Sequence, residues 1–168
     1  SVGGGPVGGI AAIGYSGPYI TNSFWDIDTT GAAVDQSYGS TGAAGNMGMT
    51  TEEMMSLSTF SNWDITSTPS TSTTKPNTTW FMFDGSTRPM LMSEYNTNIS
   101  NAHQLQLMGT TLGYGNTYTL ANNIDLTAAM TNKGEVWNTN MNTVSDDTGF
   151  VPIGDRTYSF NASFNGNN

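Results

Sequence analysis

Two acids, a hydroxyl and a glycine stand at the spacing that opens a calcium loop in Asp26-Ile27-Asp28-Thr29-Thr30-Gly31. In such loops, oxygens at positions one, three and five face the cation, and glycine at six lets the chain turn. The bidentate acid required at position twelve is missing, because Ser37 stands there. The segment therefore reads as a polar turn, and no metal or cofactor is assigned. Asp146-Asp147 offers paired carboxylates of the kind that hydrolyse glycosidic bonds. Neighbouring side chains on a strand point to opposite faces, so these two converge only in a loop. No histidine motif or basic group accompanies them, and an exposed acidic loop is the plainer reading. His103, the single histidine, falls in an expected helix with no nucleophile nearby and reads as a surface or capping residue. No catalytic residue is assigned.

Binding chemistry has more candidates. Trp25, Trp63, Trp80 and Trp137 carry indole faces that suit sugar C–H surfaces, though tryptophan more often fills cores. Trp137 has the most polar surroundings and is the candidate carbohydrate-binding residue. Asn77, Asn98 and Asn161 each open an Asn-x-Ser/Thr glycosylation sequon.

The composition excludes several partners. Four basic residues, Lys75, Arg88, Lys133 and Arg156, are scattered among 13 acids for a net charge of −9. A chain of this kind cannot neutralise a run of phosphates, so nucleic acid and anionic membrane surfaces are excluded as partners. With no cysteine there is neither a disulfide framework nor a thiolate metal site. Only 10% of residues are charged, so solubility rests on Thr, Ser, Asn and Gly, as in secreted β-rich proteins. No apolar run approaches the roughly 20 residues that span a bilayer. The chain starts at Ser1 without a signal peptide and reads as a mature or excised fragment.

The elements that would position these groups are short. Glycines punctuate Gly8 to Tyr15 at intervals that suit a backbone turning sharply every few residues, the economy of a β-solenoid coil. Strands are expected near 9–13 and 19–25, then a loose loop to Met47. Thr50-Thr51-Glu52-Glu53 fits a capping box that starts a helix of about eight residues. Thr66 to Thr79 is a polar, proline-bearing loop, Trp80 to Phe83 a strand, and Arg88 to Met92 an edge strand. A second helix is expected from Asn101 to Met108 with Gly109 as its stop. Further strands are expected at Thr117–Leu120, Ile124–Leu126, Phe150–Gly154 and Tyr158–Phe160, with a polar loop over Thr127–Thr148.

In order, these segments resemble a known family. Gly8-Gly9-Ile10-Ala11 through Ile20-Thr21-Asn22-Ser23-Phe24-Trp25-Asp26 resembles the GLUG repeat of filamentous-haemagglutinin-like bacterial surface adhesins. Gly48-Met49-Thr50-Thr51-Glu52-Glu53-Met54, Phe60-Ser61-Asn62-Trp63-Asp64, Trp80 and Arg88-Pro89-Met90-Leu91 are similar to the segment that closes such an array. Tyr118 to Leu126, Phe150 to Gly154 and Phe160 to Asn168 are similar to the entry of another. The resemblance implies an all-β fold: a right-handed β-solenoid (β-helix) with one or two short helices and long polar loops. It divides the chain into terminal coils over 1–47, a closing segment over 48–92, a linker over 93–100 and a second array from 101 to 168. It also implies secretion to the bacterial cell surface and non-catalytic work in adhesion or as a self-assembling extracellular fibre. The partners would be other copies, neighbouring repeats, and host or matrix glycans and proteins, without membrane insertion. A polysaccharide-degrading β-helix enzyme using Asp146 and Asp147, and a carbohydrate-binding module, are the rival readings.

Overall fold

The computed structural model describes residues 9–10, 20–32, 45–137 and 149–166. Apart from Gly9 and Ile10, the glycine-punctuated stretch from Gly8 to Tyr15 and the strand expected over 9–13 lie outside them, as do Ser37, Asp146 and Asp147. The described residues correct the expected solenoid. They form a mixed α/β structure with three small sheets of two or three strands, interleaved with short helices. No strand among them exceeds four residues. The chain divides into two compact units, Ser1–Trp63 and Asp64–Asn168.

In the first unit, β1 (Phe24–Asp26) pairs in parallel with β2 (Met47–Met49), Phe24 opposite Met47 and Asp26 opposite Met49. Both strands end where a side chain caps a helix. Asp26 Oδ1 accepts from the N–H groups of Asp28 and Thr29, which starts α1 (Ile27–Thr30). Gly31, at φ 70°, closes that turn in the left-handed region, where glycine has no Cβ penalty. Thr50 and Glu53 form the expected capping box, the Glu53 N–H donating to Thr50 Oγ1 and the Thr50 N–H to Glu53 Oε2. The helix it starts, α2 (Thr51–Met54), is shorter than expected and gives way to a 3₁₀ turn over Leu57–Phe60. A coil of a solenoid needs strand to follow strand across a corner. Here each strand runs straight into a capped helical turn, and no such coil forms.

A turn of helix this short cannot persist alone. Asp28 Oδ2 accepts from the Thr51 N–H, and Asp26 Oδ2 from Thr51 Oγ1, so the two helix starts are fastened together. Beneath them Trp25, Met55 and Phe60 are buried. The rings of Phe24, Phe60 and Trp63 meet at 4.9–5.7 Å between centroids.

The second unit holds two sheets. β3 (Ile65–Thr66) runs parallel to β4 (Trp80–Phe81), which pairs antiparallel with β5 (Met90–Leu91). The other sheet, β6 (Asn98–Ile99), β7 (Thr117–Leu120) and β8 (Ser163–Asn165), is parallel throughout. Between the sheets lies α3 (Ala102–Leu107), the expected second helix, with Asn101 standing outside it as N-cap and accepting from the Gln104 N–H. Leu107 packs with Phe81, Met90 and Met92, while the next residue, Met108, packs with Ile99 and Tyr118. One helical turn thus joins two apolar clusters, each large side chain in them contributing about 1.5–3 kcal/mol of burial.

Several expectations change here. Gly109 is not a stop. It lies inside a 3₁₀ turn over Met108–Thr110, with the Phe83 ring 2.8 Å from where a Cβ would stand, so close packing explains the glycine. The segments Ile124–Leu126, Phe150–Gly154 and Tyr158–Phe160 are irregular rather than strands, and α4 (Thr127–Thr131) replaces the start of the polar loop. The tract from Thr66 to Thr79 is irregular and largely exposed as expected, but it is pinned. The Ser70 N–H donates to the Thr110 carbonyl, and the Leu112 N–H to the Ser70 carbonyl. Gly113 lies so close to the Ser72 backbone that a Cβ there would overlap its carbonyl. No helix among the described residues is long and apolar enough to cross a membrane.

Tyr118 anchors the parallel sheet. Its side chain is fully buried, and its hydroxyl donates to the Thr111 carbonyl at 2.7 Å and meets the Tyr95 hydroxyl at 3.0 Å. Burial, and then the bond with Tyr95, push the phenol far above the ordinary tyrosine range. The folded phenol stays neutral at a pH where the unfolded one ionises. Its contribution to stability is therefore full below about pH 10 and is lost as pH rises beyond it. We expect Tyr118→Phe to lower stability at pH 8 by about 1–2 kcal/mol. The same variant should lose less stability than the parent chain between pH 8 and pH 11. Urea unfolding at the two pH values checks this, and equal losses in both chains would refute it.

Candidate functional site

Chemistry-bearing side chains gather on one face of α3. His103 and Gln106, three residues apart, share that face, and Leu105 and Met108 share the opposite one. His103 stands between two acids, Nδ1 at 2.7 Å from Glu94 Oε2 and Nε2 at 3.1 Å from Glu135 Oε2. All three side chains are about one-third exposed. The protonated ring donates to both carboxylates; the neutral ring donates to one and turns a lone pair on the other.

Glu135 is brought to the histidine by a backbone clamp. The guanidinium of Arg88 donates through Nη1 to the Glu135 carbonyl, and the Arg88 N–H donates to the Val136 carbonyl. The neighbouring Thr87 pairs with Trp137 in an antiparallel bridge. Trp137 is thereby drawn inside. It is fully buried, edge-on to the His103 ring at 5.5 Å and stacked on Phe150 at 6.3 Å. Its indole N–H donates to Gln106 Oε1 at 2.7 Å. This corrects the carbohydrate-binding assignment of Trp137, because an indole walled in on its faces and hydrogen-bonded at its nitrogen presents nothing to a sugar ring.

Gln106 has the most partners in this cluster. Fully buried, its Oε1 also accepts from the Val151 N–H at 2.8 Å, and its Nε2 donates to the Val151 carbonyl at 3.0 Å. The side-chain amide therefore pairs with Val151 as a strand's backbone would. That explains why the segment from Phe150 needs no partner strand.

In the His103 cluster both ring nitrogens are engaged by carboxylates, which ties Glu94 and Glu135 to α3. A general base needs a ring nitrogen directed at a proton to be abstracted, and both nitrogens here face carboxylates. Those two carboxylates lie on opposite sides of the ring and do not converge on a cation. Among the described residues, no three His, Asp or Glu side chains could hold a metal ion. At the suspected calcium loop, the Asp26 and Asp28 carboxylates take the helix-capping hydrogen bonds described above. The sequon residues Asn77, Asn98 and Asn161 are all exposed. The structure does not bring them together: Asn77 lies in the polar tract, Asn98 on β6, and Asn161 two residues before β8.

On the opposite side of α3, Leu105 and Met108 join Ile153, Phe160 and Phe164 around an open apolar recess of about 220 Å³. That falls below the roughly 300–1,000 Å³ of small-molecule sites. Glu94, Gln106 and Glu135 carry no motif in the sequence. The one available signal is Gln106 itself, a polar residue set between Leu105 and Leu107 on a short helix. Compared with family models, curated proteins and solved structures, the chain matches none.

Replacing Gln106 by leucine would strand the Trp137 N–H and both polar groups of Val151. We expect Gln106→Leu to cost about 2–5 kcal/mol. His103→Gln, at a part-exposed ion pair, should cost about 1 kcal/mol or less. Denaturant unfolding followed by tryptophan fluorescence measures both, and equal costs would contradict the distinction.

Proposed function

We propose that this chain is a non-catalytic segment of a secreted bacterial cell-surface protein, of the filamentous-haemagglutinin-like kind its ordered motifs resemble. It works in adhesion or as structural material of an extracellular assembly. Its partners are other copies, neighbouring segments, and host or matrix glycans and proteins. One observation carries the reading: six of the 13 acids are spent on the backbone. Asp26, Asp28, Glu53, Asp64, Asp125 and Asp155 each accept from at least one main-chain N–H. At Asp125 the hydrogen bonds from Thr127 hold the carboxyl below its usual range, which keeps it an acceptor. A carboxylate tied to main-chain N–H groups keeps a loop in shape and is poorly placed to take up and return protons.

The polar composition supports the same reading. A chain rich in Thr, Asn and Ser offers uncharged hydrogen-bonding groups to glycans and proteins. Incubation with a panel of neutral and acidic polysaccharides should release no reducing ends, while the labelled chain is retained on immobilised glycan or matrix protein. Release that disappears in Asp146→Asn would establish the glycoside-hydrolysing alternative and overturn the proposal.

A further inference from the structure

The parallel sheet of the second unit has two edges of different kinds. In β6, Ile99 directs its C=O at β7, where it accepts from the Ala121 N–H, and Thr97 does the same for Thr119. The alternate residues Asn98 and Ser100 therefore point their N–H groups outward. Both are already taken: the Asn98 N–H donates to Asn96 Oδ1 and the Ser100 N–H to Gln104 Oε1, each at 2.8 Å. Side-chain oxygens have closed this edge.

β8 is built the other way. The Ser163 N–H donates to the Asn116 carbonyl in register with β7, so the N–H and C=O of Phe164 face away from the sheet. All three residues of the strand are exposed. The Phe164 ring is 46% exposed and forms one wall of the apolar recess with Leu105, Met108, Ile153 and Phe160. Edge strands are ordinarily protected by a charge, a proline or a bulge. From Thr157 to Asn168 there is neither a charged residue nor a proline.

We propose that β8 is a self-pairing edge: two copies of this chain associate by antiparallel pairing of their β8 strands about Phe164. The occupant is a second copy for three reasons. A chain of net charge −9 repels its own kind over most of its surface, and the run around β8 is where two copies meet without opposing charges. Phe164 set opposite the Phe164 of the other copy exchanges two hydrogen bonds, each N–H donating to the other C=O, and satisfies the outward groups of both strands at once. Directly opposed residues share a face of the sheet, so the two exposed rings and their recesses come together and leave water. Because β6 is closed, β8 of one copy cannot add to β6 of the next. The contact is isologous and stops at two, giving one continuous six-stranded sheet rather than a filament.

The pairing rests on the proposed structural role and names its partner. A three-residue strand buries little area, so association is weak and follows concentration. In sedimentation velocity of the full chain up to about 1 mM, the mass should rise from one chain towards two and go no further. Phe164→Lys should weaken dimerisation by about tenfold or more. Asn98→Lys, on the closed edge, should leave it unchanged. In the parent chain, hydrogen exchange at the Phe164 amide should slow as concentration rises, a readout that needs no variant to fold. A monomer at every concentration, growth beyond the dimer, equal weakening by Asn98→Lys, or concentration-independent exchange at Phe164 would each overturn the interface. None of those results touches the polysaccharide assay, and sugar release by an intact dimer would remove the structural role while leaving the interface in place.

Discussion

Backbone polar groups buried or half-buried in a fold must find partners, and here the ladders are too short to supply them. Strands of two to four residues leave most N–H and C=O groups unpaired by other strands. Side chains make up the difference. Asn46 accepts from the Ser23 N–H and donates to the Ile20 carbonyl, closing a loop across 26 residues. Asn116 reaches the Thr111 carbonyl, Asp64 takes the Thr79 N–H, and Gln106 pairs with Val151 on both sides. The abundance of Asn, Thr, Ser and Asp is therefore more than a way to stay soluble. These residues do the work that longer strands do elsewhere.

This constraint explains what could be read from the sequence. The capping box at Thr50 and Glu53, the short helix near Asn101, the β7 strand and the exposed polar tract were all legible, because each shows as a local pattern of residue types even where its partners lie far along the chain. The solenoid was not there to be found among the described residues. Glycine spacing and short apolar runs match a coil, but Asp26 and Thr50 turn the chain into helix at the points where a coil would begin its next strand. Apolar alternation at Phe150 to Ile153 reads as a strand, yet what pairs with Val151 is a glutamine side chain 45 residues earlier. No pattern in a single sequence announces such a pairing.

The same logic inverted the reading of the site. Trp137 was chosen for its polar neighbours in sequence, but residues distant in sequence bury it: Gln106 takes its N–H while His103 and Phe150 cover its ring. Polar neighbours in sequence mark exposure only when they have water to face. Glu94 and Glu135, which complete the His103 clamp, come from segments read as linker and loop, where long-range partners leave no periodic trace.

The pinned polar tract has a consequence for resistance to proteolysis. Trypsin-like proteases cut after lysine and arginine in chain that can be drawn out into an extended form, but not before proline, and two of the four such residues here, Lys75 and Arg88, are followed by Pro76 and Pro89. Lys75 stands in the tract that looks most open to attack, but its ammonium is held by the Met92 carbonyl, and the tract is tied down at Ser70. Arg88 is buried with its guanidinium on the Glu135 carbonyl. Lys133 and Arg156 are exposed, with no proline after them. A composition poor in cations, adopted together with folding that ties down two of the four, leaves a digestive enzyme of that specificity few places to begin.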